Sequence, residues 1–405
     1  MTGTVYLVGG AVRDEFLGLP VTERDWVVVG GTPDELIEQG FRQVGSSFPV
    51  FLHPDSGEEY ALARTERKEG HGYHGFSVDF HPGVTLEEDL ARRDLTINAM
   101  ARDAEGRLVD PFGGRMDLEE RVLRHVSPAF CEDPLRVLRV ARFAARFRNL
   151  GFTVHETTRV LMTEMTRSGE LAHLVPERVW GELAKALTTP RPDVFIELLR
   201  ACGALAVLLP EVDDLFGVPQ PVAHHPEIDT GRHVLMALKR AALLGGSAET
   251  VFAVLLHDLG KALTPAHLLP AHVGHECSGI PLVRRVCERL RAPAAHRDLA
   301  LIVCQLHLRC HRLMEARPST VLELMERADL LRRPERLEDF VLACQADYQG
   351  RQGREGKPYP QGDRLRAALN AALAVNARDI DTAGLDGVQI GERLRSARIS
   401  AIAGT

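Results

Sequence analysis

The sequence predicts an α+β protein, with a small head built on a mixed β-sheet followed by an all-α neck, body and tail. Short apolar runs that end at glycine, proline or acidic residues are concentrated near the start, as at Val5–Val8 and Trp26–Val29. After Pro134, apolar residues recur instead at helical spacing. The expected parts are a head at 1–145, a neck at 146–225, a body at 226–348 and a tail at 349–405.

The composition allows large cores and excludes a membrane span. The 405 residues are 45% hydrophobic and suffice for two to four domains. No apolar run is long enough to cross a bilayer, and a basic-then-apolar leader is absent, so we expect no membrane association. Seven cysteines without a C-x-x-C pair indicate free thiols in a reducing cytoplasm. The net charge of −7 argues mildly against a protein that coats nucleic acid.

The first strand is followed by a glycine pair that opens a short helix. Gly9 and Gly10 let the backbone approach a ligand closely, and N–H groups at a helix start can hold phosphate oxygens. Arg13, one turn later, can add its guanidinium to the same anion site. An ordinary turn is the alternative. A dinucleotide site is excluded because G-x-G-x-x-G is absent and the second strand returns too soon.

Two acids at the second strand indicate a magnesium site. Glu23 and Asp25 are two residues apart, so in a strand both would project from one face. Paired carboxylates beside a phosphate cradle suit magnesium-dependent phosphoryl transfer, although a solvated strand face is the alternative. Glu59, on a predicted hairpin at 48–63, is a third carboxylate, for which a surface position is favoured. Residues 66–83 are predicted to form a mobile loop.

The stretch DLARRDLTINAM, at 89–100, is the next dense group of charges. Arg93 is a candidate triphosphate contact, and Asp94 is a candidate acceptor for a ribose hydroxyl. The alternative is a charged helix start with Asp94 or Thr96 near its cap. Both interpretations stay open from these residues alone.

A basic helix is predicted to begin at Asp133, with Pro134 in its first position. Cytosine and adenine each present an amine donor beside a ring-nitrogen acceptor, whereas guanine and uracil present the reverse. A carboxylate only accepts and a guanidinium only donates, so Asp133 with Arg136 would admit C and A and leave G and U unpaired. The alternative is a capped amphipathic helix with solvated arginines.

The helical body contains a second constellation of polar residues. His233 lies on an apolar helix, His257 and Asp258 end a buried run, and Asp347 follows downstream. Imidazole with carboxylate suits a divalent transition metal that activates water. Core histidines satisfied by hydrogen bonds, in a purely structural domain, are the alternative.

In this order and spacing, LVGGAVRD, E-R-D-W, RRDLTINA and EDPLRVLRVARFAARF closely resemble the bacterial class II CCA-adding tRNA nucleotidyltransferases. The resemblance covers essentially the whole chain and implies addition of C, C and A to the tRNA 3′ end from CTP and ATP. It implies Mg2+ at Glu23 and Asp25, although the family usually has Asp at position 23. It also implies nucleotide contacts from Gly10, Arg13, Arg93, Asp94, Asp133, Arg136, Arg139 and Arg142.

The order H…HD…D is similar to that of the HD-domain metal phosphohydrolases, which a subset of this family carries. The resemblance implies phosphatase, 2′-nucleotidase and 2′,3′-cyclic phosphodiesterase activities, with nickel as the candidate metal and a monomer or homodimer as the assembly. The implied metal ligands are His233, His257, Asp258 and Asp347, with His275 and His307 as further candidates.

Three rival functions follow from the same features. A poly(A) polymerase would use ATP alone, but a long basic extension is missing and the HD-type pattern is present. A stand-alone phosphohydrolase would have an inactive head. A tRNA-binding protein would have no catalytic site.

Overall fold

The structure, a computed structural model, describes residues 3–44, 50–68, 76–223, 225–376, 378 and 385–405. The chain forms two compact units. The first comprises 1–182 and 198–208, and the second comprises 183–197 and 209–405. The predicted fold class is confirmed, whereas the bounds of the four predicted domains stay predictions.

The head consists of short strands with four helices. Its elements are β1 (Thr4–Val8), α1 (Gly10–Phe16), β2 (Asp25–Val29), α2 (Pro33–Glu38), β3 (Arg42–Val44), β4 (Val50–Leu52), β5 (Glu59–Leu62), β6 (Thr65–Lys68), β7 (Phe76–Asp79), α3 (Leu86–Ala91), β8 (Ala101–Arg102), β9 (Leu108–Val109), α4 (Gly114–Glu119) and β10 (Val122–Leu123).

The rest of the described chain is almost entirely helical. Its elements are α5 (Leu135–Phe147), β11 (Thr153–Val154), α6 (Glu156–Arg167), α7 (Pro176–Leu187), α8 (Pro192–Ala201), α9 (Ala204–Leu208), α10 (Pro210–Asp213), α11 (Thr230–Leu243), α12 (Ala248–Leu256), α13 (His275–Leu290), α14 (Ala294–His311), α15 (Pro318–Arg327), α16 (Leu337–Gln349), α17 (Pro360–Ala374) and α18 (Gly387–Ala403).

A seven-stranded mixed sheet, in the order β3-β4-β5-β2-β1-β8-β9, organises the head. Only β2 and β5 are paired in parallel within it. Successive residues of β2 enter different cores, because strand side chains alternate between faces. Val27 packs with Val8 and Leu90, while Val28 packs with Phe51 and Leu62. Both faces of the sheet are therefore buried at the middle of β2.

The strand register brings two of the predicted acids, Asp25 and Glu59, to the same end of neighbouring strands. Asp25, the first residue of β2, lies opposite Val8 on β1, immediately before Gly9. On the other side, Asp25 is in register with Glu59 on β5. The predicted hairpin is confirmed as β4 and β5, which pair antiparallel.

The predicted loop at 66–83 is partly wrong. Thr65–Lys68 and Phe76–Asp79 pair antiparallel as β6 and β7, with Thr65 opposite Asp79. Residues 69–75, the middle of the predicted loop, lie outside the described residues. Polar composition alone did not distinguish a polar hairpin from a loop, because the alternation signal is weak where both strand faces carry polar residues.

The second unit is built around α12, whose residues from Thr250 to Leu256 are all buried. This helix packs against α11, α14 and α16, and α13 packs against α14. Gly260, in the turn after α12, meets the backbone of His275 so closely that any Cβ there would overlap it. Gly260 therefore lets the segment after α12 approach the start of α13. Nowhere in the described ranges is a helix both long and apolar enough to cross a membrane.

Candidate active sites

Asp25 and Glu23 form the acidic pair of the head. β2 begins at Asp25, so the expectation that Glu23 lies within the strand is wrong. That both carboxylates point to one place stays a prediction. The two carboxylates still interact: burial raises the pKa of Asp25, the charge of Arg93 lowers it, and the charge of Glu23 raises it again, with a net increase. A divalent cation would relieve this repulsion, and carboxylate oxygens are the donors that Mg2+ prefers. The residues present therefore fit magnesium.

The glycine pair lies beside two arginines. Gly9 has φ of 69°, and a Cβ there would lie 2.9 Å from Nη1 of Arg93. A Cβ at Gly10 would lie 3.4 Å from Nη2 of Arg13. The Arg13 guanidinium is buried, 5.2 Å from the ring centroids of both Phe143 and Phe147. The backbone thus approaches two cationic side chains closely, as an anion cradle requires.

Asp94 is buried in a network of hydrogen bonds. Its Oδ2 accepts from Nε of Arg139 at 2.7 Å, and its Oδ1 accepts from Nδ2 of Asn98 at 2.9 Å and from the Leu95 N–H at 2.8 Å. Burial alone would raise the pKa of Asp94, but the charge of Arg139 and these hydrogen bonds lower it well below its ordinary value. Asp94 thereby orients Arg139, and its role towards a ribose stays a prediction.

The Asp94–Arg139 pair predicts a loss of stability in acid. A carboxyl whose pKa is depressed on folding stabilises the protein above its unfolded pKa of about 3.9, and this contribution disappears as the pH falls through the folded pKa. We expect Asp94→Asn to lower the free energy of unfolding by about 2 kcal/mol near neutral pH, less than for a fully buried pair because Arg139 is partly exposed. Urea unfolding of both proteins should show this difference shrinking below about pH 4. If the difference in the free energy of unfolding is the same near neutral pH and below about pH 4, the assignment of a depressed Asp94 pKa is contradicted.

Asp133 and Arg136, three residues apart, both have partners within the protein, whereas the base-reading hypothesis has each of them facing an incoming base. The Arg136 guanidinium donates to the backbone carbonyls of Ala129 and Arg92. Asp133 accepts from the Leu135 N–H at 3.1 Å, so it does cap α5, which begins at Leu135. Its other oxygen accepts from Nη2 of Arg178 at 2.8 Å. In this structure the Asp133 carboxylate is therefore paired with Arg178, and the base-reading role of Asp133 and Arg136 stays a prediction.

The remaining arginines of α5 form one row along the helix. Arg142 donates from Nε to Glu182 at 2.6 Å, and Arg146 donates to Asp14 at 3.0 Å. With Arg139 on Asp94, they recur every three or four residues on one face. Each arginine of this row is paired with a carboxylate, and Arg139 and Arg146 are also partly exposed to solvent, so the row is paired rather than freely solvated.

In the second unit, buried histidines and carboxylates converge on one cluster. Nε2 of His233 lies 3.0 Å from Oδ1 of Asp347, and Nε2 of His257 lies 3.2 Å from Oδ2 of Asp258. Oδ1 of Asp258 lies 3.2 Å from Nε2 of His275. Three sets of ligand atoms could each hold an ion: His233, His257 and Asp347; Asp258, His275 and His307; and His225, Glu227 and His233.

The tautomers of three histidines are set by backbone carbonyls. Nδ1 of His257 contacts the Val254 carbonyl at 2.7 Å, and Nδ1 of His275 contacts the His272 carbonyl at 2.7 Å. Nδ1 of His307 likewise faces the Val303 carbonyl at 3.0 Å. Each Nδ1 donates to its carbonyl, so in the neutral ring, which is the form that binds a metal, Nε2 carries the required lone pair.

Several buried polar atoms of this cluster lack a hydrogen-bond partner among the described residues. Nε2 of His257, Nε2 of His275 and Oδ1 of Asp258 are buried without a hydrogen-bond partner. Burial alone would raise the pKa of Asp258, but the charges of His257 and Lys261 hold it well below its ordinary value. Burial drives the pKa of His307 well below its ordinary value, so this imidazole is neutral. Buried polar atoms without partners are costly, and a bound metal ion would satisfy them.

Three family models match separate parts of the chain. The poly A polymerase head domain model matches residues 5–124. A model for a probable RNA- and SrmB-binding site of polymerase A matches 151–216, and the HD domain model matches 230–338. The chain is 60% identical over 397 residues to the multifunctional CCA protein of Thioalkalivibrio sulfidiphilus, covering 98% of this chain and 97% of the relative.

The chain belongs to the multifunctional CCA protein family. A second member, from Pseudomonas aeruginosa strain PAO1, is 56% identical over 98% of this chain and 97% of its own length. The solved structure of the Thermotoga maritima CCA-adding enzyme complexed with tRNA has the same fold, with a TM-score of 0.64, 21% identity, and coverage of 100% of this chain and 88% of that one. The Bacillus stearothermophilus CCA-adding enzyme in complex with CTP gives a TM-score of 0.64 at 24% identity, over 99% and 89% of the chains. The family resemblance predicted from the motifs is confirmed.

In this member of the multifunctional CCA protein family, several residues that contact the predicted site residues were not themselves predicted. Glu227, Lys261 and His311 contact the predicted ligands: Nζ of Lys261 lies 2.7 Å from Oδ2 of Asp258. Nε2 of His311 lies 2.5 Å from Oδ2 of Asp347. Lys261 follows His257-Asp258 by one helical turn, which is a usable signal. In the first unit, Arg178 and Glu182 are 45 and 40 residues from their partners, too far in sequence for any local pattern.

Proposed function

We propose that this protein adds and repairs the 3′-terminal CCA of tRNA without a nucleic-acid template, using CTP and ATP. The observation that carries the proposal is the identity of 55–61% with multifunctional CCA proteins over 98% of the chain. The head supports it, because an acidic pair lies at the strand edge directly beside the glycine turn and Arg93. We further propose that the protein acts in the cytoplasm, as a monomer or homodimer.

In this proposal Glu23 and Asp25 hold Mg2+, which supplies Lewis-acid activation of the tRNA 3′-hydroxyl and the α-phosphate. Arg93, whose Nη1 lies beside Gly9, would neutralise the triphosphate charge. The close backbone at Gly10 and the buried Arg13 would set the position of the phosphates. Arg139 and Arg142 are held by Asp94 and by Glu182, and they would bind the nucleotide as pre-oriented donors.

Base selection is proposed to depend on Asp133 as acceptor and Arg136 as donor. Arg136 must release the carbonyls of Ala129 and Arg92 before it can face a base. We expect Arg136→Ala to relax C and A selection by about tenfold or more, since a site that pairs polar groups rejects bases that leave those groups unpaired. The measurement is misincorporation of GTP and UTP on tRNA that lacks its 3′ end.

Arg178→Ala is the matched variant for this experiment, because Arg178 is the arginine paired with Asp133 in the structure. If base selection is relaxed in Arg178→Ala and unchanged in Arg136→Ala, the hydrogen-bond donor to the base is Arg178. That result would contradict the Arg136 proposal. Thermal unfolding serves as a control, because Arg136→Ala also removes the hydrogen-bond donor of two backbone carbonyls. This loss should lower the free energy of unfolding by about 1–3 kcal/mol.

We propose a second activity in the cluster of buried histidines and carboxylates around Asp258 and Asp347, called the HD cluster below. This activity is hydrolysis of phosphomonoesters, 2′-nucleotides and 2′,3′-cyclic phosphates. Its support is the set of buried imidazole Nε2 atoms aimed at two carboxylates. His233, His257, Asp258 and Asp347 would be the ligands, with His275 and His307 as further ligands around the second oxygen of Asp258. A divalent transition metal there, nickel in this proposal, supplies activated water.

One assay separates this function from its rivals. The full-length protein is incubated with tRNA lacking its 3′ end and with labelled CTP, ATP or both. Ordered incorporation of C, C and A supports the proposal. Long A-tails would favour a poly(A) polymerase, phosphate release without incorporation would favour a stand-alone phosphohydrolase, and tRNA binding without either reaction would favour a binding protein.

A further inference from the structure

Glu227 lies between two imidazoles at the edge of the HD cluster. Its Oε1 is 2.9 Å from Nδ1 of His233 and 2.9 Å from Nδ1 of His225. Its side chain is only 3% exposed. Its Oε2 accepts from the Gln352 N–H at 3.3 Å, so both oxygens of the carboxylate are engaged. The His225 contact is a hydrogen bond, whereas the His233 contact is a close N···O approach whose angle leaves Nδ1 of His233 outside hydrogen-bond geometry. The carboxylate thus lies against the Nδ1 edge of His233, and Asp347 lies at its Nε2 edge.

The other three histidines among the predicted metal ligands are oriented differently. His257, His275 and His307 each place Nδ1 against a backbone carbonyl. Of these four imidazoles, His233 is the one that places Nδ1 against a carboxylate. A carboxylate partner makes an imidazole a stronger electron donor than a neutral carbonyl does, because it stabilises positive charge on the ring.

The backbone beside Glu227 is strained. Ile228 has φ of 62°, which is unfavourable for a β-branched residue. It is held there by hydrogen bonds from its N–H to the His225 carbonyl at 2.9 Å and from the Gln220 N–H to its carbonyl at 2.7 Å. Strain of this kind persists only where the surroundings determine the conformation, and it clusters at functional sites.

We propose that Glu227 is a positioning residue for the HD metal site, which holds His233 with Nδ1 protonated and Nε2 directed at the metal. The proposal rests on the metal site of the proposed function. Glu227 itself is not a ligand in this assignment. It acts through His233, whose Nε2 lies 3.0 Å from Oδ1 of Asp347.

The test is Co2+ binding by the full-length protein, measured by competition with a chromophoric chelator in the presence of excess Mg2+ to occupy the head. The outer hydrogen-bond partner of a ligating histidine typically contributes 10–100-fold to metal affinity. We therefore expect Glu227→Ala to weaken Co2+ binding by about 10–100-fold with unchanged stoichiometry. Glu227→Gln keeps an acceptor oxygen but loses the charge, and it should weaken binding by a smaller factor. The visible spectrum of the bound Co2+ should change in Glu227→Ala, because the His233 ring is no longer fixed.

Asp229→Ala is the structural control. Asp229 caps α11, the helix that carries His233, by accepting from the Arg232 N–H at 2.8 Å. Removing it should lower the thermal midpoint and leave Co2+ affinity unchanged. Parent-like affinity in Glu227→Ala, or an equal loss in Asp229→Ala, would overturn the positioning role. Loss of a whole metal equivalent in Glu227→Ala would make Glu227 a ligand, which also overturns it. Absence of Co2+ binding by the parent would instead remove the metal site of the proposed function.

Discussion

Replacing Asp25 by alanine is expected to abolish nucleotide addition. Asp25 is the first residue of β2, fixed beside Gly9 by its register with Val8 and interacting with Glu23 and Arg93. Losing one of two acidic ligands should remove about 4 kcal/mol of transition-state stabilisation or more, which is roughly a thousandfold in rate. Incorporation of labelled CTP into tRNA lacking its 3′ end measures the effect directly.

Glu59→Ala is the matched control for Asp25→Ala. Glu59 is in register with Asp25 on β5, so it places an equivalent carboxylate at the same sheet edge. We expect Glu59→Ala to retain most of the activity, because the sequence favours a surface role for it. Phosphate release by the HD cluster should stay at the parent level in both variants. A similar loss of nucleotide addition in both variants would show that Glu59 contributes to holding the magnesium as much as Asp25 does. The site would then not be the Glu23–Asp25 pair alone.

Replacing His257 by alanine is expected to abolish HD hydrolysis and most of the bound transition metal. Nε2 of His257 is buried without a hydrogen-bond partner and is 3.2 Å from Asp258 and 3.8 Å from Asp347. It contacts both carboxylates, so its loss should reduce hydrolysis of a 2′,3′-cyclic nucleotide by about a thousandfold. Metal content of the purified protein, measured by elemental analysis, should fall in parallel.

His296→Ala is the control for a buried histidine outside the cluster. His296 lies on α14, packs against Phe252, and belongs to none of the three candidate metal groups among the described residues. It should keep its metal and its hydrolysis, even though a buried side chain has been truncated. CCA addition should continue in both variants. Retained metal and hydrolysis in His257→Ala would favour the purely structural HD domain.

The features predictable from the sequence were those set by neighbouring residues. Thr32 and Glu35 form the capping box that starts α2 at Pro33, as local patterns allow. The position of Asp25 beside Gly9 also follows from two short strands joined within twenty residues.

The features that could not be predicted depend on distant partners. Arg136 donates to the Arg92 carbonyl, 44 residues away, so its burial is invisible in a local pattern. Glu227 reads as an ordinary surface acid beside a proline, and only the folded chain places it 2.9 Å from His233. Tertiary contacts of this kind decide which acids and arginines are paired, and residue type alone does not.

The way the chain passes between its two units has a consequence for synthesis on the ribosome. Residues 183–197 belong to the second unit, whereas 198–208 return to the first. The amino-terminal unit is therefore incomplete until Leu208 has left the exit tunnel. No single cleavage in the backbone yields both halves intact, since a cut before 198 deprives the first unit of its last segment and a cut after 208 deprives the second of its earliest one.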